Sequence, residues 1–183
     1  MVQRRLGCRT PDRLAALLAA AAGHARVLDA GAGNGVSGDA LAAHGLDPVV
    51  GLDLEPAARA AALRDRPGRY GVYLTADLTA LTPAQESAIR AARPDALACV
   101  GAVGTDHVPP AAVAAGLALL EPPAWIAYAY DVGLGADPLA EMLRGAEEHA
   151  RERYVHRRTV TGGERVWEAV VAQGGVRALP NTG

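Results

Sequence analysis

The sequence predicts a three-layer α/β domain, a doubly wound and mainly parallel sheet with a C-terminal antiparallel hairpin. Three observations predict it. Short apolar runs and amphipathic segments alternate five times along the chain, as strands and crossover helices do. Most of the amphipathic segments open on proline and several close on glycine, the punctuation of helix starts and stops. Near the C-terminus two further runs face each other across Thr161-Gly162-Gly163-Glu164, a hairpin signature that places antiparallel strands at one end of the sheet.

The elements follow in order. Thr10-Pro11-Asp12 opens a helix to about Ala22, with Thr10 as N-cap, Pro11 at the first position and Leu14, Leu17 and Leu18 on one face. Arg26 to Ala30 is a short apolar strand running into glycines, and Val36 to His44 is a helix stopped by Gly45. Pro48 to Leu54 reads as the second strand, Pro56 to Arg64 as a helix closed by Pro67-Gly68, and Tyr70 to Ala76 as a third, aromatic and β-branched strand. Helix Pro83 to Arg93, strand Asp95 to Val103, helix Pro110 to Leu120, strand Trp125 to Tyr130 and helix Pro138 to Glu152 complete the alternation. Tyr154 to Val160 and Arg165 to Ala172 form the hairpin. Residues 1–173 thus read as one domain, and 174–183, rich in glycine and ending Pro180-Asn181-Thr182-Gly183, as a flexible tail.

Composition excludes several function classes. The 183 residues are 50% hydrophobic and 21% charged, enough apolar chain to bury a core without disulfides or metals. Cys8 and Cys99 match no metal or redox spacing, so no metal site is expected. All 18 basic residues are arginine; without lysine there is no P-loop, no Schiff base and no Tyr-Lys dehydrogenase pair. The formal charge of −2 leaves no basic footprint for nucleic acid or an anionic membrane, and Trp125 and Trp167 fall in strands rather than on a base-stacking platform. No apolar run approaches 18 residues and MVQRRLGCRTPDR lacks the apolar stretch of a signal peptide, which predicts a cytoplasmic protein.

The chemistry concentrates at Val27-Leu28-Asp29-Ala30-Gly31-Ala32-Gly33-Asn34-Gly35, a strand entering a glycine-rich turn before a helix. In open α/β sheets ligands bind beyond the carboxyl ends of the strands, and glycines let the backbone approach them. Glycine turns also join strands to helices with no ligand, and Gly33-Asn34-Gly35-Val36-Ser37-Gly38 also spells the G-x-G-x-x-G of dinucleotide sites. Asp29 separates the readings. A carboxylate at this strand end repels a pyrophosphate and attracts a cationic ligand such as S-adenosylmethionine, which carries an ammonium and a sulfonium. Asp53, 18 residues after Gly35 at the end of the second strand, is placed to accept from both ribose hydroxyls, with Leu54 beside it. Asp77 and Leu78, ending the third strand, are placed to meet an adenine amino group and ring face; Asp77 also fits a turn cap.

These motifs resemble the Rossmann-like, class I S-adenosylmethionine-dependent methyltransferases over residues 7–172. Within that group the chain looks most like small proteins related to the Williams–Beuren syndrome region methyltransferase. Gly7 with Thr10-Pro11-Asp12-Arg13-Leu14, VLDAGAGNG, GLDLEP, ADLT, and Val100-Gly101-Ala102-Val103-Gly104 followed by Asp106-His107-Val108-Pro109-Pro110 carry the likeness. The resemblance implies a donor site of Asp29, Gly31, Ala32, Gly33, Gly35, Asp53, Leu54, Asp77, Leu78 and Gly101, with S-adenosylhomocysteine as product. Two departures stand out. Only about ten residues precede the first helix, where relatives carry a lid over the donor, so a homodimer mate or partner chain is expected to complete the site. The fifth strand is preceded by Glu121-Pro122-Pro123-Ala124 rather than Lys-Pro-Gly-Gly.

Methyl transfer needs proximity, a dry pocket and, for a hydroxyl or amine acceptor, a base. His107, just beyond the fourth strand, is the candidate base and Asp106 its neighbour; both residues also fit ordinary loop and capping roles. Tyr128, Tyr130 and Asp131 end the fifth strand and are candidates to line the acceptor pocket, the tyrosines sharing a face by the two-residue period; sheet packing accounts for them equally well. The charges from Glu147 to Arg153 read as a solvated helix face. The expected activity is methylation of a small molecule at oxygen or nitrogen. The alternatives are a methyltransferase-like fold that holds the donor without transfer, as cyclase, isomerase or regulatory partner, and an NAD-dependent oxidoreductase.

Overall fold

In the computed structural model, which describes residues 9–100, 103–104, 108–158 and 164–174, one seven-stranded sheet carries helices on both faces. The elements are α1 (Thr10–Ala22), β1 (Arg26–Ala30), α2 (Val36–Ala43), β2 (Asp47–Asp53), α3 (Pro56–Asp65), β3 (Val72–Thr75), α4 (Pro83–Ala91), β4 (Ala96–Cys99), α5 (Pro110–Leu117), β5 (Ala124–Asp131), a 3-10 turn (Val132–Leu134), β6 (Glu147–Arg158) and β7 (Glu164–Gly174). The strand order is β3-β2-β1-β4-β5-β7-β6, with β1 to β5 parallel and β7 antiparallel to both neighbours. The order reverses between β1 and β4, so the carboxyl end of β1 is the switch point where such sheets open a crevice.

The two-residue period of the strands sorts the core into two layers. Leu28, Val50, Leu97, Ile126 and Tyr128 face one side, where Ile89 of α4 and Val113 and Leu117 of α5 cover them. Val27, Ala96, Ala98, Ala127 and Val171 face the other, under Leu14 and Leu18 of α1 and Leu41 of α2. Each fully buried leucine or valine contributes roughly 1.5–3 kcal/mol relative to exposure. The alanines of the second layer let α1 sit close to the sheet. Local signals set the helix ends: Thr82 and Gln85 close a capping box at α4, and His44 and Gly45 (φ 81°) end α2.

Two expectations are corrected. The segment from Pro138 to Glu152 is not a helix; turns occupy it as far as Gly145 (φ 95°), and β6 starts at Glu147. Its charges therefore lie on an edge strand, where Arg151 and Arg153 reach Glu168 on β7. Pairing with β7 decides the outcome over a charge pattern that also fits a helix. Leu17 is partly buried and packs against the same core layer as Leu14 and Leu18, the shared face that the sequence predicts. The N-cap of α1 is Arg9, which makes no side-chain cap bond, and Thr10 is the first helical residue, its hydroxyl turned to Tyr154 and His156. Residues 175–183 of the expected tail lie outside the described residues, whereas Gly174 ends β7 opposite Ala124.

Candidate functional site

The glycine turn is built by backbone geometry that side chains oppose. Gly31, Gly33 and Gly35 have φ of 74°, 55° and 84°, the left-handed region that glycine enters without strain. The N–H groups of Gly31 and Ala32 both donate to the Leu52 carbonyl, at 2.9 and 3.0 Å, tying the turn to the end of β2. Asp53 then clamps it: its Oδ2 accepts from Gly33 N–H at 2.8 Å and its Oδ1 from Glu55 N–H at 2.9 Å. A carboxylate accepts about four hydrogen bonds, so Asp53 retains capacity for a ligand.

Beneath the turn, Asp29 is fully buried. Its Oδ2 accepts from the Ser37 hydroxyl at 2.5 Å and the Tyr70 hydroxyl at 2.7 Å, while its Oδ1 is buried with no hydrogen-bond partner among the described residues. Burial is the main cause that pushes its carboxyl up to about 6; the Ser37 and Tyr70 bonds oppose the rise, and the nearby Asp53 charge adds to it. Burial, then the Asp29 charge and bond, push the Tyr70 phenol far above its usual range. Tyr70 Oη also accepts from Gly38 N–H at 3.1 Å, and Tyr73 donates to the Gly33 carbonyl at 2.5 Å. A Cβ on Gly38 would lie 2.6 Å from Tyr70 Oη and Cζ. Gly38 is thus required by the tyrosine packed against it. No local pattern marks Ser37 or the two tyrosines as partners of this turn; Tyr70 lies 41 positions from Asp29.

Two cavities flank the turn and share Gly31. The first, about 380 Å³, is walled by Asp53, Leu54, Asp77, Leu78 and Val108, within the range of small-ligand pockets, roughly 300–1,000 Å³. Here five predicted donor-site residues (Gly31, Asp53, Leu54, Asp77 and Leu78) come together. Leu54 is exposed and Leu78 buried. Asp77 Oδ1 accepts from the backbone and hydroxyl of Thr79, at 2.8 and 2.7 Å, and those bonds hold its carboxyl below the usual range. The turn-cap reading of Asp77 is therefore realised, on the wall of the cavity. The second cavity, about 350 Å³, takes in Ala32, Gly33 and Ser37 with Thr10, His156 and Trp167.

Other candidates lie elsewhere. Gly101, Asp106 and His107 are outside the described residues. Tyr128, Tyr130 and Asp131 line neither cavity beside the turn. Tyr128 donates to Asp137 at 2.8 Å and Tyr130 to Glu168 at 2.5 Å, their rings stacked 6.3 Å apart. Asp131 accepts from Gly133 N–H at 2.9 Å and pairs with Arg165 at 3.6 Å. Arg151 joins Asp137, Glu148 and Glu168, and the Tyr130 bond, with Arg153 and Arg151, draws the Glu168 carboxyl down to about 2. That cluster ties β5, β6 and β7 together. Among the described residues no group of three or more His, Cys, Asp or Glu is placed to hold a metal, and no helix is long and apolar enough to cross a membrane.

No protein-family model and no curated protein matches the chain. Solved structures do. The Burkholderia thailandensis 1,6-didemethyltoxoflavin-N1-methyltransferase, solved with 1,6-didemethyltoxoflavin and S-adenosylhomocysteine, is similar at 21% identity and a TM-score of 0.64, over 92% of this chain and 79% of its own. The N-methyltransferase NodS from Bradyrhizobium japonicum WM9 is similar at 14% identity and 0.66, over 96% and 99%. The [4+2]-cyclase SpnF is similar at 17% and 0.62, over 91% and 82%. The architecture of this chain is the class I methyltransferase fold.

Proposed function

We propose that the protein binds S-adenosylmethionine and transfers its methyl group to an oxygen or nitrogen of a small molecule. The observation that carries this reading is Asp29, a fully buried carboxylate at the strand end entering the glycine turn, with one oxygen unpartnered among the described residues. Such a group is costly unless a cation meets it. A pyrophosphate would make the cost larger, which argues against the nicotinamide reading, and Gly38, its third glycine, is accounted for by Tyr70.

The donor, when bound, supplies an electrophilic methyl on a sulfonium. The chain's residues supply the rest. Asp53 has acceptor capacity for ribose hydroxyls, and Leu78 and Val108 offer apolar walls for an adenine in the 380 Å³ cavity. Asp29, through its charge, favours the ammonium and sulfonium end, and Ser37 and Tyr70 keep its carboxylate ionised near neutral pH. The small-molecule neighbour that methylates 1,6-didemethyltoxoflavin supports an acceptor of that size class. His107, with Asp106, remains the sequence-based candidate base, and the likeness to Williams–Beuren-region proteins rests on the quoted segments.

Calorimetric titration with S-adenosylmethionine, S-adenosylhomocysteine and NAD tests the reading. Micromolar binding of both adenosyl ligands, lost in Asp53→Ala and absent for NAD, is the expected result; no adenosyl binding, or NAD binding alone, overturns it. A cyclase of the same fold favours a second reading, in which the donor is held and not consumed. Appearance of S-adenosylhomocysteine during turnover separates the two.

A further inference from the structure

Two consecutive carbonyls of the glycine turn are held by side chains from the end of α3 and from β3. Tyr73 Oη donates to the Gly33 carbonyl at 2.5 Å, and Arg66 Nη1 donates to the Asn34 carbonyl at 2.8 Å. Arg66 is the C-cap of α3, and its own N–H donates to the Ala62 carbonyl at 2.8 Å, which fixes its backbone. Its guanidinium is fixed as well. Nε donates to Asp39 Oδ2 at 2.6 Å, and Asp39 sits in the first turn of α2, where the helix end favours a carboxylate. The Arg66 side chain is 17% exposed, so little water competes for the Asn34 carbonyl. Its Cδ passes 3.2 Å from where a Cβ on Gly35 would stand. Arg69 takes the other oxygen of Asp39 at 2.7 Å and makes no hydrogen bond to the turn among the described residues.

A turn with glycine at three positions of positive φ has many other conformations open to it. A trans peptide carries its C=O and N–H on opposite sides, so the bond from Arg66 to the Asn34 carbonyl also orients the Gly35 N–H, which donates to the Ala32 carbonyl at 2.9 Å. One guanidinium thus settles the plane of the Asn34–Gly35 peptide and ties it to α2 through Asp39. Arg66 lines neither cavity beside the turn, so it acts through the turn and not by touching a ligand. We infer, on the donor reading above, that Arg66 is a positioning residue: with Asp39 it holds the glycine turn in the shape that takes the adenosyl ligand before the ligand arrives. Without that brace only part of the population has the competent turn, and affinity falls by that fraction whatever the charge of the ligand. The positive charge of Arg66 by itself acts differently. It repels the sulfonium of S-adenosylmethionine and spares S-adenosylhomocysteine, which lacks that charge.

Calorimetric titration of wild type, Arg66→Met, Arg66→Gln and Arg69→Met with both adenosyl ligands is the test. Methionine offers no donor, and the glutamine amide ends two atoms short of Nη1. Both Arg66 variants are expected to bind S-adenosylmethionine and S-adenosylhomocysteine about tenfold more weakly, by the same factor for each. Arg69→Met, which loses a part-exposed bond to the same carboxylate, is expected to stay within about twofold of wild type. Amide hydrogen exchange on the ligand-free proteins supplies a local readout: the Gly35 N–H is expected to exchange about tenfold faster in Arg66→Met while the β1 amides keep their wild-type rates. Two Arg66 variants guard against a folding defect in either. Where wild type binds the adenosyl ligands, any of four results overturns the inference alone. These are Arg66 variants that bind like wild type, an equal loss in Arg69→Met, an unchanged Gly35 exchange rate, and S-adenosylmethionine gaining on S-adenosylhomocysteine in the Arg66 variants. Failure of both ligands to bind wild type overturns the donor reading, and the positioning role falls with it.

Discussion

Tyr70 donates its phenolic hydrogen to the buried Asp29 at 2.7 Å while accepting one from Gly38 N–H at 3.1 Å, so a single ring fastens the first strand to the helix after it. Removing that oxygen in Tyr70→Phe leaves a buried carboxylate with one fewer donor and a helix N–H with no partner. The variant is expected to lose about 1–3 kcal/mol of stability in urea unfolding. Adenosyl-ligand affinity should weaken at pH 6 more than at pH 8, because Asp29 is then harder to ionise. Equal loss at both pH values would mean that Tyr70 acts by packing alone.

Asp29 also makes stability and ligand binding respond to pH with opposite signs. Its folded value, about 6, is above the unfolded one, so its contribution is full below about pH 4 and is lost as pH rises through 6. The loss is about 3 kcal/mol. Asp29→Asn should flatten that stretch of the stability curve. Binding of a cationic donor should strengthen over the same interval in the wild type and not in the variant, which paired unfolding and calorimetric titrations across pH 4–8 would read.

Gly38→Ala puts a methyl 2.6 Å from the Tyr70 hydroxyl. Displacing the ring costs roughly 1–3 kcal/mol as overpacking. An unchanged melting temperature would show that Tyr70 yields freely, and the account of this third glycine would fall.

Glu168→Gln removes the charge that Arg151 and Arg153 share on the outer strands. The carboxyl is held low, at about 2, so its contribution is present above the unfolded value and is lost as pH falls from about 4.5 through 2. The expected cost at neutral pH is about 1–3 kcal/mol, shrinking under acid until variant and wild type converge. A difference that persists at pH 2 would assign the effect to packing.

How much of this was legible depends on whether the signal is local. β1 is observed over Arg26–Ala30, as the sequence predicts, because the apolar run and its glycines sit side by side. Asp53, Leu54, Asp77 and Leu78 reach one cavity because strand ends in this topology always converge there. The helix expected from Pro138 failed because salt-bridge spacing on a helix and cross-strand pairing on a sheet edge use the same residues, and only the partner β7 decides. Asp29 was read as facing a ligand, yet one of its oxygens serves Ser37 and Tyr70. No motif marks His156, and Trp167 reads only as a strand residue; their meeting is a product of hairpin register.

The outermost strand carries a further consequence. β6 presents charges to both sides of the sheet, Arg151 and Arg153 toward Glu168 and Glu152 toward Arg13. The opposite rim, β3, is only four residues long. Both margins are thus poor templates for backbone zippering. Backbone pairing of a companion molecule along either rim is disfavoured, and a crowded folding intermediate is discouraged from growing into fibres along its sheet.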